Sequence, residues 1–321
     1  ATRSRDIRAP NFSELYERTE SVGFTGTTNP WTGGSDLALI ANTGNIDVRA
    51  EEGDTETFGV VFSPQWSWGQ GLRLSVDWWQ IEIDGAIARL GTGNIVDGCF
   101  RGNAVLCTFI DGEGPGGVMT TIRNASLNLD VYSTKGMDFE ALYQFDLSGG
   151  AEMGVRLFAT RTDEVVQVVA GQRTDFAGVT GPAAFGQPEW AMNGTLSYDR
   201  SSWGISGQVR YIDSGLYNVN WIDPSDPRYN PTTTNPALEP LMVNDNTIDS
   251  ATYLTLSGRY RLPMSGERSW ELFATINNAL DEDPPWAPDG AYPTNAEFFD
   301  QIGRSFRVGI RGDFGGGNGN D

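Results

Sequence analysis

The feature that most constrains this fold is an alternation of side-chain character with a period of two residues. In segment 270–277, apolar residues such as Trp270 and Leu272 alternate with polar ones, and segment 306–314 alternates bulky apolar residues with charged ones such as Arg307. Successive side chains of a β-strand point to opposite faces. A strand with one apolar and one charged face suits the wall of a membrane barrel, where lipid lies outside and water or protein inside. We therefore predict a barrel wall rather than the core of a stacked-sheet domain.

The alternation recurs in about ten segments, which predicts an antiparallel wall of about ten strands. The segments are residues 1–8, 55–66, 72–83, 137–147, 153–159, 190–198, 203–211, 254–262, 270–277 and 306–314. Short turns alternate with long loops along the chain, as expected of outer-membrane barrels with short periplasmic turns and long extracellular loops. In segment 72–83 the apolar set shifts from Trp78 to Trp79, which indicates either a β-bulge or an aromatic pair at the membrane interface.

Aromatic residues lie at the short-turn ends of the predicted strands, as in a membrane-interface girdle. They are Trp66, Trp68, Tyr198, Trp203 and Trp270. No apolar run approaches the roughly 18 residues that a transmembrane helix requires. The sequence therefore predicts crossing by strands.

Composition excludes several classes of function. The net charge of -20 argues against phosphate-mediated nucleic-acid binding, and the absence of histidine removes imidazole-dependent catalysis. Asp138, Glu140 and Asp146 could supply the carboxylate pair of a glycoside hydrolase. Alternate residues of one strand, however, lie about 6–7 Å apart through pleating alone. We predict no catalytic residue, no metal site and no cofactor.

Three segments resemble TonB-dependent outer-membrane receptors, the energised importers of Gram-negative bacteria. The first is 4–16, SRDIRAPNFSELY, which is similar to the arginine-alanine-proline stretch of these barrels. The second is 44–60, which is similar to the loop-to-strand motif that follows, with Val48 and Ala50 where leucine and proline are usual. The third pairs NNALDEDPP at 277–285 with GRSFRVGI at 303–310, and looks like the last hairpin of the family.

The resemblance implies an all-β fold, in which residues 1–314 form the C-terminal part of a 22-stranded transmembrane barrel. Residues 315–321 form a polar Gly/Asn-rich tail beyond Phe314, where family members usually end, and the plug domain is not part of this sequence. Ten strands cannot enclose a plug, and their two free edges are forbidden in lipid. We therefore expect another chain or further sequence to supply the N-terminal barrel half and the plug.

The resemblance also implies a function in the outer membrane. The expected role is uptake of a scarce nutrient, namely a siderophore, cobalamin or an oligosaccharide, energised by TonB through the plug. The expected partners are the rest of the receptor, TonB, outer-membrane lipid and the nutrient, and they include no nucleic acid. The alternatives are a soluble β-rich carbohydrate-binding or hydrolytic domain and a passive ten-stranded pore.

Two aromatic loops supply the candidate ligand-binding residues, because rings stack on sugars or flat chelates while carboxylates accept hydrogen bonds. The candidates are Tyr217, Trp221, Asp223, Tyr229, Trp286, Tyr292 and Phe298, with Asp226, Asp289 and Phe299 beside them. Packing of the loops on themselves also explains each ring. Cys99 and Cys107 lie close together in one polar loop, where many such receptors have a cysteine pair. A disulfide is predicted, with two reduced thiols as the alternative.

Overall fold

The computed structural model describes residues 1–18, 20–112, 117–169, 171–182, 186–235, 238–262, 269–288 and 292–313. The predicted turn 263–268, Asp289, Phe314 and the tail 315–321 lie outside the described residues, as does the side chain of Trp68. The strands are β1 (Thr2–Arg8), β2 (Glu20–Asn29), β3 (Gly34–Thr43), β4 (Glu51–Phe62), β5 (Leu72–Asp84), β6 (Ile87–Ala88), β7 (Ile110–Gly112), β8 (Met119–Ala125), β9 (Leu127–Asn128), β10 (Val131–Leu147), β11 (Ala151–Val169), β12 (Gln172–Asp175), β13 (Trp190–Arg200), β14 (Trp203–Ile212), β15 (Gly215–Leu216), β16 (Thr247–Ile248), β17 (Ala251–Leu262), β18 (Ser269–Asn277) and β19 (Ser305–Asp313). The α-helices are α1 (Phe12–Tyr16), α2 (Thr92–Phe100) and α3 (Ala104–Cys107).

Ten long strands form one continuous antiparallel wall. Its order is β1-β4-β5-β10-β11-β13-β14-β17-β18-β19, so each wall strand pairs with the next along the chain. The short strand β12 pairs with part of β11 beside this path. Strands β1 and β19 are the edges of the sheet and do not pair with each other, so the barrel is not closed. The prediction of an antiparallel barrel wall of about ten strands is confirmed.

The two faces of the wall meet different surroundings. On one face Leu256, Phe306 and Val308 are 41 %, 70 % and 80 % exposed, so they do not point into an interior between stacked sheets. On the other face Glu271 lies 3.4 Å from Arg261 and 3.8 Å from Arg311. Lipid solvates an apolar face of this kind, whereas ion pairs belong in the lumen.

Strand β5 pairs with β4 and β10 without a register shift at Trp78 and Trp79. The β-bulge interpretation is therefore wrong at this point. Room for the second indole comes from Gly136, which lies directly opposite Trp79 on β10. A shift of register occurs instead between β10 and β11, next to Gly136.

The first two segments that carry the family resemblance contact one another. Asn11 caps α1 by accepting a hydrogen bond from the Glu14 backbone N–H at 2.8 Å, and the Glu14 carboxylate accepts one from the Asn11 N–H at 2.7 Å. Arg8 forms ion pairs with Glu14 at 3.0 Å and with Glu51 at 2.5 Å. The Asn45 N–H donates to the Glu14 carbonyl at 2.8 Å. This clamp fixes the start of the first long loop on the wall.

The third segment forms a tight turn at the start of the last loop. Asn278 and Asp281 have φ values of 47° and 59°, a region in which Asn and Asp are the favoured non-glycine residues. The Asn278 amide donates to the Glu282 carbonyl at 2.8 Å and accepts from its N–H at 2.9 Å. Asp281 accepts from the Arg304 N–H at 3.0 Å, so the turn is tied to the start of β19.

The long loops have folded cores of their own. The largest buried cluster includes Ile95 and Val96 of α2, Leu106 of α3, and Met119 and Ile122 of β8. Beneath it, β2, β3, β8 and β7 form a four-stranded sheet in which β3 and β8 are parallel. Ala38 and Ile40, two alternate residues of β3, are buried in this cluster. Among the described residues, no helix is both long enough and apolar enough to span a membrane.

Candidate functional site

A cavity of about 830 Å³ opens among the long loops. We call it the loop cavity, and it is bounded by the end of β2, by α2, by β12, by residues 218–221 and by Arg228, Leu238 and Leu241. Trp221, one of the predicted ligand-binding residues, lies on its wall, and Phe100 at the end of α2 faces it as well. Phe100 is braced by an edge-to-face contact with Trp31, whose ring centre lies 5.5 Å away. The cavity is large enough for a small chelate or an oligosaccharide unit.

Helix α2 is held in place by a disulfide between Cys99 and Cys107, which joins it to α3. The prediction of this disulfide is confirmed. Asn103 caps α3 by accepting from the N–H groups of Val105 and Leu106 at 3.1 and 3.2 Å. The apolar face of α2 is buried, while Asp97 and the following Arg101 line the loop cavity. The disulfide therefore helps to fix the positions of Asp97 and Arg101 in the cavity wall.

Three arginines and two aspartates line the loop cavity: Arg101, Arg173, Arg228, Asp97 and Asp175. Arg173 pairs with Asp175 at 3.4 Å, and Arg228 pairs with Asp226 at 2.6 Å. Arg101 makes no ion pair within the part of the chain that the structure describes. Arg173 also lies 3.5 Å from Glu164, so Arg101 is the guanidinium of this lining that the described residues leave without an ion pair. An anionic group in the cavity can pair with Arg101.

The carboxyl groups around the cavity titrate differently. Burial raises the pKa of Asp97, and the nearby Arg101 partly opposes this shift. Hydrogen bonds from the Arg228 side chain and backbone lower the pKa of Asp226 to about 2. Asp226 is therefore ionised at any neutral pH and holds Arg228 in one orientation. Asp97 is the carboxyl whose charge depends more strongly on what occupies the site.

The first predicted loop contributes to the cavity through Trp221. Tyr217 stacks on it with ring centres 4.8 Å apart and planes 16° apart, and the Tyr217 hydroxyl donates to the Pro288 carbonyl at 2.7 Å. Asp223 is 7 % exposed and accepts from the Ser225 N–H and hydroxyl at 2.9 and 2.6 Å, which closes a turn. Tyr229 is half-buried, with its hydroxyl 3.5 Å from the Asn244 amide oxygen.

The second predicted loop lies beside the cavity rather than in its wall. Trp286 and Tyr292 are 74 % and 54 % exposed. Phe298 is half-buried and packs with the buried Phe299 against a cluster around Tyr253. The Phe298 carbonyl accepts a hydrogen bond from Arg210 at 3.2 Å. A ligand-binding role for the residues of both loops stays a prediction.

Sequence reasoning missed the residues that α2 and β12 bring to the cavity, such as Arg101, Arg173 and Gln172. Two separate loops supply these side chains, and no local spacing relates them. One usable signal was the cysteine pair, since a disulfide inside a long loop indicates a folded segment. The charged residues next to Cys99 were therefore candidates.

The paired carboxylates of β10 have protein partners. Asp138 accepts from the Thr160 hydroxyl at 2.7 Å, and Glu140 pairs with Arg156 at 3.1 Å. Both side chains belong to the polar face of the wall, which carries the ion pairs. Within the described ranges, no group of three His, Cys, Asp or Glu side chains is arranged to hold a metal ion.

Solved structures with this fold are outer-membrane receptors. A mutant of the ferric enterobactin receptor PfeA from Pseudomonas aeruginosa is 13 % identical, with a TM-score of 0.53 over 96 % of this chain and 37 % of that chain. The siderophore receptor PirA from Acinetobacter baumannii is 11 % identical, with a TM-score of 0.54 over 96 % of this chain and 38 % of that one. At such identities the likeness shows the fold alone, and the chain spans little more than a third of these receptors.

The sequence itself identifies the family. No curated protein matches the chain. The family described as "TonB dependent receptor-like, beta-barrel" matches residues 2–279, which include both resemblance segments at the start of the chain and nine of the ten wall strands. The match covers far more than half of the sequence and agrees with the wall order found in the structure. The chain belongs to the TonB-dependent receptor β-barrel family.

Proposed function

We propose that this chain is the C-terminal part of the barrel of a TonB-energised receptor that imports a ferric siderophore. The observation that carries the proposal is the loop cavity, which is lined by both a flat aromatic side chain, Trp221, and the guanidinium of Arg101. Proteins of this family lie in the outer membrane of Gram-negative bacteria and take up nutrients, and the chain shares that location. Its fold and family are those of a transport receptor.

The proposed partners follow from the open wall. Strands β1 and β19 each leave one row of backbone N–H and C=O groups without a neighbouring strand. Such edges cost several kcal/mol per unsatisfied group in hydrocarbon, on the order of the cost of a lost buried hydrogen bond. We infer that residues 1–314 are completed by an N-terminal barrel half and a plug, and that TonB acts through the plug.

The chemistry of the cavity supports an iron chelate over the other nutrients. A ferric siderophore of the catecholate type is a flat-faced anion, and it would stack on Trp221 while Arg101 pairs with its charge. The neighbour PfeA is described as a ferric enterobactin receptor, and PirA as a siderophore receptor. Oligosaccharides and cobalamin are the alternatives, and neither requires the unpaired guanidinium of Arg101.

The predicted ligand residues divide into two proposed roles. Trp221 contacts the chelate directly, while Tyr217, Asp223, Tyr229 and Phe298 hold the loops in position. Trp286 and Tyr292 project from the last loop and make the first contact with an arriving ligand. This division is supported by their exposure, since Trp286 is 74 % exposed whereas Tyr217 stacks beneath Trp221.

The test is equilibrium binding of ferric enterobactin to the complete receptor in detergent, followed by uptake of radioactive iron into cells. We expect Trp221→Ala and Arg101→Gln each to weaken binding about tenfold, since a stacked ring or an ion pair in a partly dry site contributes about 1–2 kcal/mol. Trp66→Ala is the matched control, because this indole lies at the short-turn end of the wall. Uptake, but not binding, should stop when TonB is deleted.

Two results would contradict the proposal. Uptake that continues without TonB would favour a passive pore. Tight binding of cobalamin or of an oligosaccharide, with no binding of ferric chelates, would assign the cavity to another nutrient.

A further inference from the structure

A second, smaller cavity lies beneath the loop cavity. It has a volume of about 60 Å³ and shares five lining residues with the larger one, namely Asp97, Arg101, Gln172, Thr174 and Asn220. We call it the polar recess. Because one water molecule needs about 10–15 Å³ of such volume, the recess has room for about four atoms of oxygen size. It is therefore large enough for one functional group of a ligand held in the loop cavity.

The recess contains a buried donor with nothing to bind. Gln167 of β11 is 4 % exposed, and within the described part of the chain its Nε2 has no hydrogen-bond partner. Among the described residues, three other buried side-chain atoms lack a hydrogen-bond partner, namely Arg89 Nε, Thr180 Oγ1 and Thr294 Oγ1. None of these residues lines the loop cavity or the polar recess. An unsatisfied buried donor is costly, so a donor that faces a cavity needs a partner there, which is water in the empty site and a group of the ligand in the occupied one.

The remaining polar groups of the recess define the chemistry of that partner. Two amides already serve the protein: Asn94 donates to the Leu90 carbonyl at 2.8 Å, and Asn103 caps α3. Gln167 lines the recess but not the loop cavity, and it offers a neutral N–H donor, while Asp97 offers a carboxylate acceptor. Four further polar residues line both the recess and the loop cavity: Arg101, Gln172, Thr174 and Asn220. A group that carries both an acceptor oxygen and an N–H donor satisfies both side chains. A peptide amide has this pair in three adjacent heavy atoms, which fits the volume.

We propose that the polar recess is a subsite for an amide group of the transported chelate. The Gln167 Nε2–H donates to the amide oxygen, and the Asp97 carboxylate accepts from the amide N–H. The inference rests on the proposed function, because it concerns the same cavity, and it adds a selectivity for chelates that carry free peptide amides. Burial raises the pKa of Asp97 in the free protein, and an N–H donor in the recess would stabilise its charged form.

The test compares two ferric probes on the complete receptor. Ferrichrome is a neutral ferric trihydroxamate whose peptide ring presents free amides. Ferric enterobactin is a catecholate trianion in which each amide N–H is hydrogen-bonded within the ligand to a catecholate oxygen. Gln167→Met keeps the length of the side chain and removes its donor. We expect ferrichrome to bind about fivefold more weakly to this variant, with binding of ferric enterobactin changed less than twofold. Gln167→Glu should weaken ferrichrome binding further, because a carboxylate repels the amide oxygen.

Two controls separate recognition from folding. Gln65→Met makes the same replacement in a short turn at the opposite end of the wall and should change neither affinity. Asp97→Ala should also weaken ferrichrome binding, and the double variant with Gln167→Met should lose less than the product of the two single losses, since both side chains hold one group. Unchanged binding of ferric enterobactin reports that Gln167→Met is folded. For the variants at Asp97, unchanged hydrogen exchange in the wall strands reports folding.

Three outcomes would overturn the subsite. The first is a wild-type receptor that binds ferric enterobactin but not ferrichrome, and the second is a Gln167→Met variant that loses affinity equally for both probes. The third is a Gln167→Glu variant that binds ferrichrome with wild-type affinity. The first leaves the proposed function intact. Failure to bind either ferric probe would instead remove the proposed function and the subsite together.

Discussion

At the scale of single residues, Gly136 shows how the wall accommodates a wide side chain. A Cβ built on Gly136 would press on the Arg161 carbonyl oxygen and lie 2.7 Å from Trp79 Cζ2. We expect Gly136→Ala to reduce the free energy of unfolding by about 1–3 kcal/mol, because the clash involves backbone and a ring that cannot move aside. The free energy of unfolding is measured by urea titration of the complete receptor. The folded fraction at each urea concentration is read from electrophoresis without heating, in which folded and unfolded barrels migrate differently.

Gly194 is the matched control in the same wall. A Cβ there would have its nearest neighbour at 3.9 Å, the Leu157 Cδ1 atom. Gly194→Ala should therefore leave stability unchanged or raise it by up to about 1 kcal/mol, because the unfolded chain loses freedom. Equal effects of the two substitutions would show that the space around Gly136 does not decide how Trp79 is placed.

At the scale of elements, the disulfide between Cys99 and Cys107 determines the position of α2. The closed loop is short, and the chain-entropy relation gives a contribution of about 2.5 kcal/mol to the stability of the α2–α3 unit. We expect the double variant Cys99→Ser, Cys107→Ser to exchange its amide hydrogens faster in residues 92–107 and to bind ferric enterobactin more weakly. Exchange in wall strands such as β17 and β18 should not change. A uniform rise in exchange over wall and loops would contradict a local role.

The stability of helix α2 should also depend on pH, because α2 carries Asp97. Burial raises the pKa of Asp97 above its value in the unfolded chain, so the folded loop binds the proton more tightly. The stability that this contributes is complete below the unfolded pKa of about 3.9 and is lost as the pH rises through the folded value. We expect Asp97→Asn to slow hydrogen exchange of α2 at pH 7 and to have little effect near pH 4. An equal effect at both pH values would show that Asp97 is not buried in its charged form.

Elements also show what the sequence could and could not predict. The wall strands followed from alternation, because each has one face in lipid and one in the lumen. Helix α2 has only nine residues, and Gly91 precedes it with a φ of 79° and no side-chain cap, so it has no start signal. The parallel pairing of β3 and β8 joins Leu39 to Thr121, which no local pattern reveals. The cavity charges were missed for the same reason, since three separate loops supply Arg101, Arg173 and Arg228.

At the scale of the whole molecule, the buried clusters of the described residues lie toward the loops rather than midway along the wall strands. The buried clusters lie around Ile122, Tyr253 and Val165, which belong to the loops or to the loop ends of wall strands. Stability of the wall must then come from lipid and from interstrand hydrogen bonds. Binding, by contrast, depends on the packing of the loops. Changes in the two regions should therefore affect assembly and affinity separately.

The final prediction tests which face of the wall meets lipid. Leu256 and Thr255 are neighbours near the middle of β17, and their side chains point to opposite faces. We expect Leu256→Arg to reduce the stability of the receptor in a bilayer by about 2–4 kcal/mol, since a guanidinium near the midplane must leave water. Thr255→Arg should cost far less, because the lumen already holds Arg259 and Arg261 beside Glu271. Folding into lipid vesicles at graded urea concentrations measures both values. Equal costs, or a larger cost for Thr255→Arg, would mean that the apolar stripe does not face hydrocarbon, and the wall would then need a protein partner over that face.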